Sequence, residues 1–471
     1  MTGTRDGAIA RAHAEYDDGT FLSRLASLVA VQTESHPPER KSELERYCHE
    51  VLGPMLTTMG FETRVLDNPE PIHGPVLIAT RIEDPALPTV LFYGHGDVVR
   101  AMPERWRPGL DPWTLTVEGD RIYGRGTVDN KGQHLLGIDA MGAVMDERGG
   151  KLGFNVKVMV ETGEEAGSPG LLPFIREHRD LLAADVFIAL DGPRVSRVVP
   201  DIMLGTRGGI AMDLVISLRE GGHHSGHWGG LLKDPGVIMA HAIASIISRD
   251  GRILVPGWTP AHVPEAVTAA ARAVVSEPQS GAPVPEQDWG EPGLSNSERI
   301  YAWSSAIVLA SISGQPEGPV NAVGGTARAR IQLRHTVDVD GAQVVPALRA
   351  HLAAQGFHEV EVVPVTERDM FLASRTDPDN PWVRAVEDSF ARTVGRQPNV
   401  IPTIGASGPS EFFKQELGVP VIWIPHSYGG CGQHGPDEHG LGSLFREGLG
   451  LMAGLWWDLG ERRLENGGRS F

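Results

Sequence analysis

Cysteine, long apolar runs and positive charge are all scarce in this chain of 471 residues. Its two cysteines, Cys48 and Cys431, cannot supply a disulfide framework, and they suit a reducing compartment. No apolar run approaches the length of a membrane span. The first residues lack the apolar core and cleavage pattern of a signal peptide, so we expect a cytoplasmic protein without a membrane partner.

The charge balance excludes further classes of partner. The chain has 42 Lys and Arg against 60 Asp and Glu, a formal net charge of −18. This excess of acid argues against nucleic acid or an anionic membrane as the main partner. A G-x-S-x-G elbow after a strand is also missing, which sets a serine hydrolase aside. Cys431 precedes His434 by three residues, but no second cysteine pair completes a structural zinc site, so we interpret Cys431 as a bystander.

What the chain does contain is a regular alternation of strand and helix patterns. Short β-type apolar runs predict buried strands, and the segments between them have helical spacing. Strands that alternate with helices indicate an α/β domain, here with a central mixed sheet. Its predicted strands include residues 89–93, 156–160, 186–190 and 419–424, with a helix at 131–145.

The character of the chain changes near residue 204. Strand and helix patterns after this point predict a small α+β module of the ferredoxin-like kind. This module has the order strand, helix, insertion, strand, helix, strand. Its predicted strands are residues 210–218, 327–333 and 358–365.

These patterns predict a discontinuous main domain with a second domain inserted into it. Residues 1–204 and 367–471 form the main α/β domain, and residues 205–366 form the inserted lid. Residues 256–292 hold seven prolines and look like an elaborate insertion within the lid. Residues 256–320 carry no motif that we can interpret.

The most informative stretch reads E-T-G-E-E-A-G-S-P-G from Glu161 to Gly170. Its adjacent acids, Glu164 and Glu165, repel each other at the mouth of a buried strand, so they require a reason to be there. One reason is a metal ion, with one carboxylate binding the cation and the other acting on the water that the cation activates. The alternative is a solvated acidic turn before a helix, whose N-terminus favours acids.

Four separate strands end in polar residues of metal-binding type. In open α/β sheets, ligand sites form beyond the carboxyl ends of strands. Taken singly, each residue has an ordinary explanation as a core histidine, a turn residue or a helix cap. Taken together, they predict an N/O site for Zn²⁺ or a similar ion such as Mn²⁺ or Co²⁺. The residues are His95, Asp97, Asp129 at a helix start, Glu164, Glu165, Asp191 and His434.

Six motifs in this order resemble the dinuclear metallopeptidase superfamily of aminoacylase, carboxypeptidase G, succinyl-diaminopimelate desuccinylase and carnosinase-like dipeptidases. Any one of them alone is a weak signal, whereas the ordered set is specific. The resemblance covers nearly the whole chain, including the lid. The motifs are G-H-G-D at 94–97, G-R-G-T-V-D-N-K-G at 124–132, E-E-A-G-S at 164–168, D-G-P at 191–193, H-S-G-H-W-G-G at 224–230 and G-Q-H-G-P-D-E at 432–438.

The resemblance implies two divalent metal ions per subunit, Zn²⁺ first, with Mn²⁺ or Co²⁺ as alternatives. It implies that Asp129 bridges the ions and that Asp97 stands behind His95 and fixes its tautomer. A cis peptide usually follows the bridging aspartate in the family, so we expect one between Asp129 and Asn130. The other implied ligands are His95 and Asp191 for one ion, and Glu165 and His434 for the other.

The resemblance also implies the chemistry. Glu164 is the implied general base, which takes a proton from a water whose pKa the cations lower and returns it to the leaving amine. The resulting hydroxide attacks an amide carbonyl, and the oxyanion needs a further donor. In relatives, the histidine that matches His224 reaches the active site of the partner subunit, which implies a homodimer. The alternative for His224 is a glycine-rich surface turn.

Three further positions are implied to contact substrate. Arg334 matches an arginine that grips a substrate carboxylate, a task suited to guanidinium, with a strand-surface arginine as the alternative. Asn321 matches a position near the substrate carbonyl. Ser407 and Gly408 lie in a loop that contacts substrate, and its sequence at 405–410, G-A-S-G-P-S, departs from the usual Gly-Gly-Ser-hydrophobic-Pro. The class of substrate is therefore open.

The sequence predicts a metal-dependent amidohydrolase that cleaves a dipeptide or an N-acyl amino acid, a small substrate bearing a carboxylate. One alternative keeps the metal site but hydrolyses a non-peptide bond, such as an aryl amide or an aromatic amine. Another is a binding protein that has kept the fold without turnover. The intact Glu164 argues against the last of these.

Overall fold

The computed structural model describes residues 3–36, 40–278, 283–365, 370–405 and 408–461. Helices and strands alternate along the first part of the chain. Its helices are α1 (Arg5–Asp17), α2 (Thr20–Val29), α3 (Lys41–Arg46), α4 (Gly53–Thr58), α5 (Lys131–Glu147), α6 (Leu171–Glu177) and α7 (Arg179–Leu182). Its strands are β1 (Glu62–Leu66), β2 (Val76–Arg81), β3 (Thr89–His95), β4 (Thr116–Glu118), β5 (Arg121–Tyr123), β6 (Asn155–Glu161), β7 (Val186–Ala189), β8 (Pro193–Arg194) and β9 (Asp201–Met203).

The remaining elements divide between the inserted segment and the return to the large sheet. The insertion contains strands β10 (Gly208–Ser217), β11 (His223–His224), β12 (Ser305–Ser313), β13 (Ala322–Val323), β14 (Thr326–His335), β15 (Glu361–Pro364) and β16 (Met370–Phe371). Its helices are α8 (Ser225–Trp228), α9 (Pro235–Ile246), α10 (Glu265–Ala273), α11 (Asn296–Tyr301) and α12 (Val344–Ala354). The last part contains α13 (Pro381–Val394), β17 (Asn399–Ile401), α14 (Ser410–Leu417), β18 (Val421–Trp423), β19 (Ser427–Tyr428), β20 (His439–Leu441) and α15 (Gly442–Glu461).

The central sheet has eight strands in the order β1-β2-β6-β3-β7-β18-β9-β17. Strands β6, β3, β7 and β18 run parallel, whereas β1, β2 and β6 pair antiparallel at one side, and β9 runs antiparallel to β18. The predicted mixed sheet is therefore confirmed. Because neighbouring parallel strands end at one edge, this topology collects the residues that follow them.

Helices cover both faces of the central sheet, and the side chains of β3 show how the sequence achieves this. Val90 and Phe92 join a core with α1, α2, α5, α13 and α15, while Leu91 and Tyr93 join a second core with α6 and α14. Successive side chains of a strand point to opposite faces, so a continuous apolar run is what a doubly covered strand needs. Within the described residues, every helix is too short or too polar to cross a bilayer.

The inserted segment builds a second sheet in the order β12-β14-β10-β15, with β16 also paired to β10. Together with α9 and α12 this gives the β-α-β-β-α-β order of a ferredoxin-like module, the predicted class of module with one strand, β12, added to the predicted order. Alternate residues of β10, from Ile210 to Ile216, pack against these helices. Strand β12 is absent from the strands predicted by sequence, because its apolar run is exposed along an edge and shows no alternation of buried and polar residues.

One part of the insertion packs on the main domain instead of on the lid. Val267 and Ala271 of α10, and Tyr301 and Ala302 at the end of α11, belong to the second core of the central sheet. The amide of Val275 also donates to Asn399 Oδ1 at 2.8 Å. The division at residues 205–366 stays a prediction. The packing shows that part of residues 256–320, which the sequence did not explain, contacts the main domain.

Candidate metal centre

Three of the predicted site residues follow adjacent parallel strands of the central sheet. His95 is the last residue of β3, and Glu164 lies in a short 3-10 turn just after β6. Asp191 follows β7 by two residues. Since β6, β3 and β7 are neighbours in the sheet, their carboxyl ends place these side chains at one edge. This is the arrangement expected of ligand sites in open α/β sheets.

A buried ion pair shapes the loop that carries Asp129. Arg125 Nη1 lies 2.6 Å from Glu438 Oε2, and both side chains are almost fully buried. The carboxylate of Glu438 also accepts the backbone amides of Gly126, Val128 and Asp129 at 3.0–3.2 Å. The next peptide bond, between Asp129 and Asn130, is cis as expected. From the sequence, no role was assigned to Arg125, because its partner lies 313 residues away.

The first ligand group consists of His95, Asp129 and Asp191. Nε2 of His95 lies 3.1 Å from Oδ1 of Asp129 and 3.5 Å from Oδ2 of Asp191. One ligand atom from each side chain lies within 4.8 Å of the other two. An imidazole nitrogen and two carboxylate oxygens are a donor set that suits a divalent transition metal.

The second ligand group shares Asp129 with the first. Nε2 of His434 lies 2.9 Å from Oδ2 of Asp129 and 3.1 Å from Oε2 of Glu165. His434 adopts a left-handed backbone conformation, with φ of 60°, in the loop between β19 and β20. The neighbouring Gln433 donates from Nε2 to Oδ2 of Asp129 at 2.7 Å. The two oxygens of Asp129 thus face two different histidines, which is the geometry of a bridging carboxylate.

Asp97 links the first histidine to the pair of glutamates. Its Oδ1 lies 3.4 Å from Nδ1 of His95, and that nitrogen also lies 3.1 Å from the Asp97 carbonyl oxygen. The same carboxylate accepts the backbone amides of Glu164 and Glu165, at 3.2 and 3.1 Å. Sequence reasoning assigned Asp97 only to His95. The structure adds a second contact, which holds the turn that carries the acid pair.

The donor atoms of this cluster fit a cation. Within the described part of the chain, Nε2 of His95 and Oε1 of Glu165 are buried without a hydrogen-bond partner. Buried polar atoms without partners are rare, and a bound metal ion would supply a partner for both of these atoms. Burial and the neighbouring Asp129 raise the pKa of Glu165 to about 7. Burial also raises the pKa of Glu164. The charges of Asp191, Glu165 and Asp129 add to this rise, whereas the charge of His95 opposes it. Carboxylates this close together repel one another when ionised, and a bound cation would relieve that repulsion.

A second layer of buried polar groups holds the backbone around His95. Asn130 donates from Nδ2 to the Leu190 carbonyl at 2.6 Å and accepts the His95 amide at 3.3 Å. The ring of His134 contacts Asn130 Oδ1 at 3.1 Å and the hydroxyl of Tyr47 at 2.7 Å. A Cβ at Gly94 would lie 2.5 Å from the His134 Cβ, which explains the glycine before His95. No sequence motif pointed to Tyr47 or His134.

A cavity of about 610 Å³ opens beside the predicted metal ligands. Asp129, Glu164, Asp191 and His434 line one end of it, as does Gly408 of the predicted substrate loop. The rest of the wall is mainly apolar and includes residues from α11. This size and this lining are typical of a site for a small molecule.

The other predicted substrate contacts lie elsewhere in the subunit. Within the described residues, His224, Asn321 and Arg334 do not line this cavity. His224 and Asn321 are exposed together on the lid, where Ser225 donates its amide to the Asn321 carbonyl at 2.8 Å. Arg334 is half-buried on β14 opposite Gly209. Ser407 lies outside the described residues.

The fold and the site together define a class. A mixed α/β sheet gathers imidazoles and carboxylates from five chain segments at one edge, and a separate α+β module is inserted after β9. The donors suit a divalent metal, and a cavity for a small molecule lies directly beside them. The molecule is a metal-binding α/β protein with an inserted second sheet.

Comparison with known proteins identifies the family. Residues 91–458 match peptidase family M20/M25/M40, and the chain belongs to this family. The predicted dinuclear metallopeptidase superfamily is thereby confirmed. The matched range begins within β3 and ends within α15, so it contains all the predicted metal ligands.

Several relatives are dipeptidases by name. The chain is 36% identical to the Beta-Ala-His dipeptidase of Rattus norvegicus over 189 residues, which cover 39% of this chain and 37% of that protein. It is 28% identical to the Cysteinylglycine-S-conjugate dipeptidase of Corynebacterium striatum over 332 residues, or 68% and 70% of the two chains. The crystal structure of human carnosine dipeptidase 1 superposes with a TM-score of 0.69 at 23% identity, covering 97% of this chain and 100% of the other. The alignment with the rat dipeptidase covers less than two thirds of the length of that protein.

Proposed function

We propose that this protein is a metal-dependent amidohydrolase that cleaves dipeptides or N-acyl amino acids. The observation that carries the proposal is the pair of ligand groups that share Asp129, with Glu164 beside them on the wall of a cavity. Family membership and the dipeptidase names of the relatives support the same reaction class. The presence of only two cysteines suits the reducing environment of a cytoplasmic enzyme.

The proposed mechanism assigns a task to each side chain. When bound, two divalent ions, Zn²⁺ first with Mn²⁺ or Co²⁺ as alternatives, acidify a water and polarise the amide carbonyl. His95 and Asp191 would hold one ion, Glu165 and His434 would hold the other, and Asp129 would contribute to both. Glu164, whose Oε2 lies 4.0 Å from His95 Nε2, accepts the proton of the water and returns it to the leaving amine. Asp97 orients His95 and fixes the turn of Glu164.

The carboxylate of the substrate is proposed to bind near the junction of the two sheets. Burial, together with the charge of Arg334 on β14, lowers the pKa of Arg207 to about 10. Arg207 in turn reaches the carbonyl of Gly405 at 3.5 Å, and Gly405 lines the cavity. Guanidinium groups near Gly405, outside the cavity lining, would favour an anionic end of the substrate on this side. Gly408 of the same 405–410 loop also lines the cavity and is proposed to contact the substrate.

The lid at 205–366 is proposed to form a homodimer through β12. This strand forms one edge of the lid sheet, and Ile307, Leu309 and Ile312 are 49%, 50% and 55% exposed along it. An exposed apolar edge strand is a template for pairing with another chain, and a second copy offers the same edge in a two-fold arrangement. The exposure of His224 and Asn321 on this module fits the proposal that they serve the partner's active site.

Mixing two inactive variants tests whether His224 acts across the interface. We expect His224→Ala and Glu164→Gln homodimers each to be nearly inactive. After mixing and subunit exchange, half of the dimers are mixed, and one of their two sites combines an intact Glu164 with the partner's intact His224. Activity should therefore return to about a quarter of the wild-type value. Steady-state turnover before and after exchange is the measurement.

The size of the particle provides the control for this experiment. Ile312→Lys should convert the dimer to a metal-loaded monomer without turnover, because a charge is placed on the pairing edge. Val284→Lys, at a side chain that is 85% exposed away from β12, should leave a dimer. Light scattering after size exclusion measures both. A mixture that regains no activity, or an Ile312→Lys monomer that retains full activity, contradicts catalysis across the interface.

Metal removal and restoration test the function itself. We expect the chelator-treated protein to lose all turnover and to regain it with Zn²⁺, Mn²⁺ or Co²⁺, since the carboxylates alone cannot acidify a water. The substrates are dipeptides, including β-Ala-His and Cys-Gly, N-acyl amino acids and carboxylate-bearing anilides. Metal content and amine release are measured on the same samples.

Each outcome of this assay separates one alternative from the others. Metal-dependent cleavage of a dipeptide or N-acyl amino acid supports the proposal, and binding of about two ions per subunit supports the dinuclear site. Cleavage of the anilides alone supports the non-peptide alternative. Metal binding without any turnover supports a binding protein. Failure to bind any divalent ion removes the basis of the proposal.

A further inference from the structure

We propose that the inserted segment gives this enzyme a selectivity wall for a bulky apolar side chain next to the scissile amide. The inference rests on the proposed function and specifies its substrate class. Ile300 and Tyr301, at the end of α11, line the cavity that contains Glu164 and Asp191. They belong to the stretch 256–320, in which the sequence showed no motif.

The floor of the cavity is apolar. Met203 at the end of β9 pairs with Trp423 at the end of β18, and both line the cavity together with Ile401 and Ile404. Among the described lining residues, the carboxylates and the imidazole belong to Asp129, Glu164, Asp191 and His434, all of them in the metal centre, and the other polar side chains are those of Thr206, Tyr301 and Gln433. A charged side chain in the remaining space would lose water without gaining an oppositely charged partner there. An apolar side chain would gain the burial.

The wall is held in place before any substrate binds. Ser295 and Glu298 cap the start of α11 reciprocally, with the Ser295 amide 2.8 Å from Glu298 Oε2. Glu298 also pairs with Arg272 of α10 at 2.9 Å. The hydroxyl of Thr403, in the loop after β17, donates to the carbonyl of Tyr301. Because the pocket is already formed, little conformational entropy is lost on binding. More of the free energy of the apolar contact is then available to distinguish one substrate from another.

Ile300 is the best position for testing this wall. Its side chain is 44% exposed, so its replacement should not disrupt a core, whereas Tyr301 is 8% exposed and belongs to the second core of the central sheet. The cavity of about 610 Å³ has room for a dipeptide with a leucine-sized or aromatic side chain. Burying such a side chain strengthens binding by about 10- to 100-fold.

Binding to the zinc-loaded Glu164→Gln protein tests the inference without requiring turnover. Calorimetry with Phe-Gly, Gly-Phe and Gly-Gly should show that one of the phenylalanine peptides binds about 10-fold or more tightly than Gly-Gly. Adding Ile300→Asp should abolish this preference, and adding Ile300→Leu should keep it. Ile72→Asp, at an isoleucine that is 65% exposed in the segment between β1 and β2, is the matched control and should also keep it.

The results distinguish failure of the selectivity from failure of the function. Equal binding of the three peptides, or a preference that survives Ile300→Asp, overturns the inference even if the wild-type enzyme cleaves amides. A preference that Ile300→Asp removes supports the wall even if no amide is cleaved. In the active enzyme, Ile300→Asp should lower the ratio of kcat/KM for the preferred apolar peptide to kcat/KM for Gly-Gly by about 10-fold or more.

Discussion

Glu164→Gln is expected to lower kcat by about 10²- to 10⁴-fold without removing metal, the range typical of a lost general acid–base. The amide keeps the shape of the side chain but cannot accept a proton from water. Glu164 is not among the residues of the two ligand groups, so these groups remain complete. Substrate should still bind, and KM should change much less than kcat. Steady-state kinetics and metal analysis of the same preparation give the three quantities.

Two further variants make this result specific to Glu164. Glu165→Gln changes the adjacent residue, which faces His434 at 3.1 Å, and should weaken metal binding in addition to turnover. Glu177→Gln, at the exposed end of α6, should behave as wild type. If Glu164→Gln turns over at more than about a tenth of the wild-type rate, Glu164 is not the general base. If it has lost its metal, the residue is a ligand and the assignment of the two glutamates must be reversed.

The sequence predicted most of the ligand set because these residues directly follow a predicted strand or precede a predicted helix. His95, Glu164 and Asp191 follow apolar runs that form adjacent parallel strands, and strand direction alone brings their ends together. Asp129 precedes a helix that begins at Lys131, one of the element starts predicted correctly. His434 is the exception, since it lies in a loop ten residues past Ile424 and was identified through the motif that surrounds it.

Contacts between distant segments left no such local mark. The buried pair of Arg125 and Glu438 joins positions 313 residues apart, and either residue alone reads as an ordinary surface charge. The edge strand β12 escaped prediction because its apolar residues are exposed, so burial imposes no alternation on them. The contribution of Ile300 to the cavity depends on α10 and α11 folding back onto the central sheet, which only the tertiary structure reveals.

Asp129→Asn is expected to disrupt both metal positions at once. Oδ1 of Asp129 faces His95 and Oδ2 faces His434, so the side chain needs two anionic oxygens to serve both groups. Asparagine offers a single neutral oxygen, and its amide nitrogen cannot be a ligand. Loss of the cations removes several kcal/mol of transition-state stabilisation, so turnover should fall by about 10³-fold or more. Bound metal per subunit and turnover are measured together.

Single-group ligands supply the comparison that isolates bridging. Asp191→Asn touches only the first group and Glu165→Gln only the second, so each should weaken one metal position and leave the other. If Asp129 is shared, its replacement should lower the affinity of both ions. The loss of bound metal in Asp129→Asn should then equal the sum of the losses in Asp191→Asn and Glu165→Gln. If Asp129→Asn instead retains one tightly bound ion, the carboxylate serves a single metal. The two ligand groups would then be independent sites that happen to adjoin.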